Sequence, residues 1–188
     1  RSISNAPVGT NFLAFGYAYA SGNVLFDPSL PIEDVNAKTN ALIAAYVRSF
    51  DLFGMNAKFN VILPYASGDW EGLYEGVDSS ASRAGLADMS FGLSVNFIGA
   101  PPLEAKDFKN YQHITIVGGS LQLIAPTGQY FPEKLINLGS NRWAIRPQLG
   151  ISQRVQTWYF EFFSNVWLYT NNNSFWNGKT LKQNPIVT

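Results

Sequence analysis

The sequence predicts an all-β fold, and three observations support this. Apolar residues alternate with small or polar residues over seven long segments, as in β-strands, whose successive side chains point to opposite faces. Each segment spans at least ten residues, whereas strands of globular proteins average about 5–6. Helical periodicity is almost absent from the chain.

The first four strands differ in how clearly their faces separate. Thr10–Ala20 sets leucine and aromatic residues against alanine and glycine. Ala37–Phe50 is the weakest of the four, because both of its faces are mixed. Met55–Tyr65 alternates again. Gly85–Phe97 reads GLADMSFGLSVNF and is apolar at every second residue from Ala87 onward. Leu86 is the one exception on its other face.

Three more strands follow at Gln112–Ala125, Arg142–Gln153 and Trp158–Thr170. Each carries an apolar face opposite a face of serine, glutamine, asparagine or charged residues. Pro147 lies inside the sixth strand and removes one ladder hydrogen bond, so we expect a bulge or a kink there. Residues Pro185–Thr188 are the expected start of an eighth strand.

The connections alternate between long and short, which is typical of outer-membrane barrels. The long polar ones are Ser21–Asn36, Ala66–Ala84, Pro126–Asn141 and Asn171–Asn184, and the short ones are Asp51–Gly54 and Arg154–Thr157. In the medium link Ile98–Tyr111, one helical turn is expected over Pro102–Lys109. Apart from the recurring strand pattern, the sequence shows no internal repeat and no linker. Residues 1–188 are therefore predicted to be one domain.

Alternation fits both a soluble β-sandwich and a transmembrane β-barrel. Charged residues make up only 14% of the chain and aromatic residues 15%, which suits an outer surface that does not mainly face water. The polar faces are rich in Gly, Ala, Ser and Asn rather than Lys and Glu. These features favour an antiparallel up-and-down transmembrane β-barrel. The chain supplies only about 7–8 strands, and an open edge in lipid would leave backbone groups unpaired, so these strands are expected to be part of a larger barrel. The chain is therefore expected to be C-terminally incomplete, either as a fragment or as one part of an assembly.

Composition also argues against several classes of function. The formal net charge is zero, whereas a nucleic-acid-binding protein needs a basic surface. Cysteine is absent and His113 is the only histidine. We therefore predict no metal site, no cofactor and no enzymatic activity. A serine activated by His113 would need a partner that the fold places beside it.

The charged residues on the polar faces are the candidate lumen-lining and selectivity residues. Pointing Arg146 at lipid would cost about 2–4 kcal/mol near the bilayer midplane, so its face is predicted to look inward. The same reasoning places the full set inside the barrel: Lys58, Asp88, Arg142, Arg146 and Glu161. Lys38 and Arg48 are further candidates. Two interpretations stay open: these charges select solutes, or they pair with one another and fill the barrel.

The segment Pro126–Trp143 reads PTGQYFPEKLINLGSNRW and resembles the signature of the MetA-pathway family of phenol degradation. Other segments match that family too: FDLFG, LPYASGDWEG, RAGLAD, GAPPL and KQNP. The resemblance covers nearly the whole chain. It implies an outer-membrane β-barrel of transporter-like type. Such a barrel would have about four or five more strands than this chain supplies.

The loop within Pro126–Trp143 is the candidate gate. Its polar residues could fold back into the barrel mouth and bind or gate a solute there: Thr127, Gln129, Tyr130, Asn137 and Asn141. The alternative is that the asparagines and glycines only shape a long loop.

Together the sequence predicts a barrel in the bacterial outer membrane of a Gram-negative cell. Its expected activity is passive uptake of small hydrophobic or aromatic compounds, with outer-membrane lipid and lipopolysaccharide as surroundings. Further strands or an oligomer would close the sheet. The alternatives are a structural or assembly barrel without transport, and a soluble ligand-binding β-sandwich.

Overall fold

The computed structural model describes residues 3–24 and 30–188. Within these residues the chain forms eleven strands and one short helix. In chain order they are β1 Asn11–Asn23, β2 Ile32–Leu52, β3 Met55–Tyr74, β4 Val77–Leu86, β5 Ser90–Ile98, α1 Ala105–Phe108, β6 Thr115–Ile124, β7 Ala144–Val155, β8 Trp158–Tyr169, β9 Asn172–Phe175, β10 Lys179–Leu181 and β11 Ile186–Val187.

The main sheet is antiparallel, and strands adjacent in the chain are mostly adjacent in the sheet. Its order is β1-β2-β3-β5-β6-β7-β8-β11. Strand β4 pairs with the second half of β3, from Tyr65 to Tyr74. Strands β9 and β10 form a separate hairpin. The prediction of an all-β, up-and-down antiparallel architecture is confirmed. The sheet is not closed over the described residues, since β1 and β11 lie at its two edges.

The apolar face of the sheet has no second layer packed on it in the described part of the chain. Phe15 is 77% exposed, Leu149 66% and Phe162 69%. We call this the outer face. A β-sandwich would bury these side chains between two layers, so the observed exposure contradicts the sandwich alternative and agrees with the predicted lipid-facing band.

The cross-strand register assigns every strand to the same two faces. One row of partners runs Lys58, Ser94, Ser120, Gln148 and Asn165 from β3 to β8. This row defines the inner face, and the residues next to it along each strand define the outer face. The predicted orientation of the first, third, fifth, sixth and seventh strands is therefore confirmed.

The two faces of β2 differ from those expected from the sequence. Arg48 pairs with Asn11 and Phe59, and Lys38 pairs with Asp69, so both cations lie on the outer face. Their expected inward placement was wrong. Both residues lie toward the ends of β2, where a charge can reach the polar interface rather than the middle of a bilayer. The inner face of β2 instead carries alanine, Ile43 and Val47.

Three long connections predicted as polar loops contain strand residues. In Ser21–Asn36, β1 continues to Asn23 and β2 begins at Ile32, while residues 25–29 lie outside the described part of the chain. Ala66–Ala84 is a hairpin, because β3 continues to Tyr74 and β4 returns along it. The turn uses Glu75 and Gly76, both with positive φ. Asn171–Asn184 contains β9 and β10. These segments lack an apolar face because they extend past the apolar band, so alternation could not reveal them.

The predicted strand Gly85–Phe97 is interrupted by a bulge. Between the pairs Tyr65–Leu86 and Ile62–Ser90, β3 has two residues and the opposite strand has three. Pro64, which has no backbone N–H to donate, lies opposite the extra residue. The bulge reverses the phase of the alternation. Leu86, the exception in the sequence pattern, therefore lies on the outer face beside Tyr65.

Other local predictions had mixed outcomes. The helical turn within Pro102–Lys109 is α1, and the eighth strand is β11. The bulge expected at Pro147 is absent. The ladder between β7 and β8 lacks the pairs of Arg146 and Pro147 but resumes with equal residue counts on both strands. Proline is tolerated there without a change of register.

The register predicts losses of stability of different size for the same charge at two neighbouring positions. Leu149→Arg places a guanidinium on the outer face and is expected to lower the free energy of unfolding in phospholipid vesicles by about 2–4 kcal/mol. Gln148→Arg places the same group on the inner face and should cost under about 1 kcal/mol. Urea unfolding in vesicles measures both. Equal losses would contradict the assignment of the two faces.

Candidate functional site

The inner face has two walls of different chemistry. On β1 and β2 it is lined by small or apolar residues, among them Ala14, Gly16 and Ile43. On β6 to β8 it is lined by amides, cations and aromatic rings. Arg146 lies with its guanidinium carbon 4.8 Å from the centroid of the Trp167 ring. The inner face can therefore hold an apolar group on one side and a polar group on the other.

Asp88 anchors the loop that connects β6 to β7. One carboxylate oxygen accepts a hydrogen bond from the Gly128 backbone at 2.9 Å. The other accepts from the Ser140 backbone at 2.8 Å and from the Ser140 hydroxyl at 2.5 Å. Asp88 lies in the bulge between β4 and β5, so the irregularity opposite Pro64 aims its carboxylate at both ends of the loop. Gly128 and Gly139 meet here so closely that a Cβ on either would lie within 2.8 Å of the other's backbone.

Two of the predicted gating residues dock the loop on the β4–β5 junction. Thr127 Oγ1 accepts from the Met89 backbone at 2.9 Å. The Gln129 backbone donates to Leu86 O at 2.8 Å, and its side chain lies against Gly85. This docking folds the loop onto the sheet.

Tyr130 and Asn141 meet at Asn172 of β9, a residue that sequence reasoning missed. Asn172 is 1% exposed. Its amide donates to the Tyr130 hydroxyl at 2.8 Å, and its carbonyl accepts from Asn141 Nδ2 at 2.9 Å. The Tyr130 hydroxyl in turn donates to Ser174 O at 3.0 Å. The sequence offered no signal for Asn172, because asparagines are frequent in loops for purely local reasons.

Asn137 has a local role in the loop. Its Oδ1 accepts from the Phe131 backbone at 2.8 Å, and its Nδ2 donates to Lys134 O at 2.8 Å. These bonds close a turn within Phe131–Asn137. The structure thus brings four of the five predicted gating residues to anchoring contacts and gives the fifth a turn-forming one, while their gating role remains a prediction.

The predicted lumen cations and acids have different partners along the inner face. Arg142 stacks over Tyr169, with 4.8 Å between its guanidinium carbon and the ring centroid, and bonds to Gln183. Glu161 Oε1 accepts from Ser152 Oγ at 3.2 Å. Within the described residues, Asp88, Arg142 and Arg146 form no ion pair. Their selectivity role remains a prediction, as does the alternative that the set fills the barrel.

Residues 3–10 lie across the inner face near the short turns, a feature that the sequence did not reveal. Lys58 Nζ donates to Ser4 O at 2.8 Å and to Ser4 Oγ at 3.0 Å. Asn56 Nδ2 donates to Ala6 O at 2.7 Å. The Gly9 backbone donates to Ser49 O at 2.9 Å. This N-terminal segment therefore adds no strand but bonds to strands β2 and β3 from inside.

Ile3 seats the segment in the only cluster of buried apolar residues formed by the described chain. It is 1% exposed and packs with Ala100, Ile116 and Phe163. The contacts join β6, β8 and the β5–β6 connection. Because the segment also bonds to β3, it bridges the inner face from one side to the other. The arrangement narrows the space inside the sheet at its short-turn end.

The connection between β5 and β6 closes over the same segment. The Val8 backbone donates to Leu103 O at 2.8 Å, and Asn5 Nδ2 donates to Pro101 O at 3.3 Å. The Tyr111 hydroxyl donates to Gly99 O at 2.8 Å. Burial raises the pKa of the Tyr111 phenol, and the hydrogen bond with Asn5 acts in the opposite direction. The phenol thus remains a neutral donor in ordinary buffers.

The fold places Ser152 beside His113, the partner that a serine nucleophile would need. Ser152 Oγ lies 3.1 Å from His113 Nε2 and 3.2 Å from Glu161 Oε1. The hydroxyl is therefore shared between a ring nitrogen and a carboxylate, and Ser152 is 1% exposed. A nucleophile must reach its substrate, whereas this buried hydroxyl bonds β7 to Glu161 of β8 and to His113, which lies two residues before β6.

Two further properties of residues 3–24 and 30–188 bear on ligands and membranes. No group of three or more His, Asp or Glu residues is arranged so that it could hold a metal ion. No helix in this part is long and apolar enough to cross a membrane.

Comparison with known proteins identifies the family. The family described as "Putative MetA-pathway of phenol degradation" matches residues 16–186. The chain belongs to this family. The match confirms the resemblance carried by the Pro126–Trp143 motif. The search of curated proteins gave no match.

A solved structure shares the fold. An outer membrane channel from Pseudomonas putida F1 superposes with a TM-score of 0.66 at 18% sequence identity. The alignment covers 94% of this chain and 61% of that channel, so the chain spans about three fifths of its length. This likeness confirms the predicted barrel-type architecture.

Removal of the loop anchor is expected to free the Pro126–Trp143 loop. Asp88→Ala removes three hydrogen bonds to a carboxylate, each worth about 1.5–3 kcal/mol, and should make the loop cleavable by protease while the strands stay protected. Asp78→Ala, at an exposed acid of β4, is the matched control. Limited proteolysis with mass spectrometry measures the effect. Equal protection of the loop in both variants would show that Asp88 does not hold it.

Release of the N-terminal segment is expected to widen the inner space. Ile3→Asp buries a carboxylate among Ala100, Ile116 and Phe163, which is unfavourable by several kcal/mol unless the segment leaves. Single-channel conductance in planar bilayers should therefore rise, whereas Ile3→Val should leave it unchanged. A conductance of the aspartate variant equal to that of the parent protein would contradict a constricting role.

Proposed function

We propose that the protein is an outer-membrane channel for passive uptake of small hydrophobic or aromatic compounds into the Gram-negative periplasm. The observation that carries this proposal is the divided inner face, with an apolar wall on β1 and β2 opposite a wall of amides, arginines and aromatic rings. A solute with a ring and a polar group can contact both walls at once. Family membership and the fold of the Pseudomonas channel support the same class of function.

The proposed path has two narrow regions. At the long-loop end, the loop held by Asp88 and Asn172 lies over the sheet and is the proposed gate. At the short-turn end, residues 3–10 bridge the inner face. Movement of either segment would change the rate of passage, and no energy source is required. The outer face, with its exposed leucine and aromatic side chains, is the proposed contact with lipid and lipopolysaccharide.

A structural barrel without transport is the second candidate function. It is favoured by the contacts of residues 3–10, which occupy the interior with a bonded segment. The two functions differ in one measurable property, because only a channel makes liposomes permeable to solutes.

Solute flux tests the proposal. Liposomes containing the protein should take up aromatic acids and phenols faster than empty liposomes. Ala45→Trp places an indole on the inner face and should slow this uptake several-fold, because the ring occupies part of the lumen. Ala44→Trp places the same group on the outer face and should not slow it. Uptake equal to that of empty liposomes would reject the transport function.

A further inference from the structure

We propose that the inner face carries a solute-binding site at Arg146 and Gln122 that takes small hydroxylated aromatic carboxylates. This inference rests on the proposed channel function and specifies its solute class. Gln122 and Arg146 are direct cross-strand partners on β6 and β7. Both line a cavity of about 310 Å³ on the inner face, which is the size of a small-ligand pocket.

Each of the two side chains has one buried polar atom without a hydrogen-bond partner in the described part of the chain. Arg146 Nε and Gln122 Oε1 are buried, and neither makes a hydrogen bond within the described residues. The Gln122 amide is oriented by its other end, since Nε2 donates to Ser90 Oγ at 2.8 Å. Buried polar atoms are rarely left without a partner. An arginine only donates and the amide oxygen only accepts, so a ligand that satisfies both atoms brings an acceptor to Arg146 and a donor to Gln122.

The rest of the cavity determines the charge of that ligand. Its lining residues include Lys58 and Arg146 but no aspartate or glutamate. The Arg146 guanidinium is held over the Trp167 ring, which fixes its plane without neutralising it. A carboxylate is the acceptor that matches a guanidinium best, because the two form charge-assisted hydrogen bonds. The ligand is therefore an anion.

The opposite side of the cavity determines the body of the ligand. Val47 and Ile62 line it from β2 and β3. Asn60 also lines the cavity, and its amide lies over Gly92, where a Cβ would come within 2.3 Å of Asn60 Nδ2. A flat ring fits between an apolar side and a polar side. The carboxylate would meet Arg146, a ring hydroxyl would donate to Gln122 Oε1, and the ring would contact Val47 and Ile62.

Isothermal titration of the detergent-solubilised full chain with 4-hydroxybenzoate tests the site. The parent protein should bind this probe at least tenfold more tightly than benzyl alcohol, which has no anionic group. Arg146→Gln should weaken binding at least tenfold, and Arg146→Lys should restore part of it by keeping the charge. The matched control is Arg154→Gln, which removes an arginine of the same strand outside the cavity and should change the affinity less than twofold.

The role of Gln122 has its own measurement. Gln122→Leu should reduce binding of 4-hydroxybenzoate to the level of benzoate and leave benzoate binding unchanged. A heat-modifiable shift on gel electrophoresis checks that each variant is folded. Equal affinity of the parent protein and Arg146→Gln, or equal binding of benzyl alcohol, would overturn the site and leave only water at these atoms.

The outcome can be separated from that of the channel proposal. Binding with the expected variant pattern but without flux in liposomes would support the site and reject the channel. Flux of aromatic acids without saturable binding would support the channel and overturn the site.

Discussion

Antiparallel pairing in a sheet without a second apolar layer is the constraint on which the rest of the structure depends. The outer face exposes leucine and aromatic side chains, so it is suited to hydrocarbon rather than water. In hydrocarbon every backbone N–H and C=O needs a partner within the protein. The strands therefore pair along most of their length, with departures from the ladder near one end of β2, near one end of β5 and opposite Pro64. The departure opposite Pro64 is the most consequential one.

That departure connects the fold to the candidate gate. Proline cannot donate to the ladder, and the neighbouring strand accommodates it with an extra residue. Asp88 lies in the resulting bulge, with its carboxylate bonded to both ends of the β6–β7 loop. The bulge opposite Pro64 thus positions the side chain that anchors the β6–β7 loop. Asn172 adds a second anchor from a hairpin at the other side of the loop.

The inner face combines the two kinds of wall that the proposed passage would need. Arg146, Gln122 and Lys58 present polar groups, while the facing strands present alanine, valine and isoleucine. A passage with only polar walls would favour water and ions, and one with only apolar walls would not orient a solute. The segment of residues 3–10 is bonded to Lys58 and packed through Ile3, so it ties the polar side of the inner face to the short-turn end.

The sequence by itself determined the long strands with clear alternation and the outward direction of their apolar residues, because alternation with a period of two is a local property. The family could also be predicted, since the Pro126–Trp143 motif is continuous in the chain. Tertiary structure decided the features that depend on distant contacts. These include the orientation of β2, the bulge that places Leu86 outward, the partnership of Tyr130 and Asn141 with Asn172, and the inner position of Ile3. None of them follows from a periodic pattern, because each depends on which residue the folded sheet brings opposite.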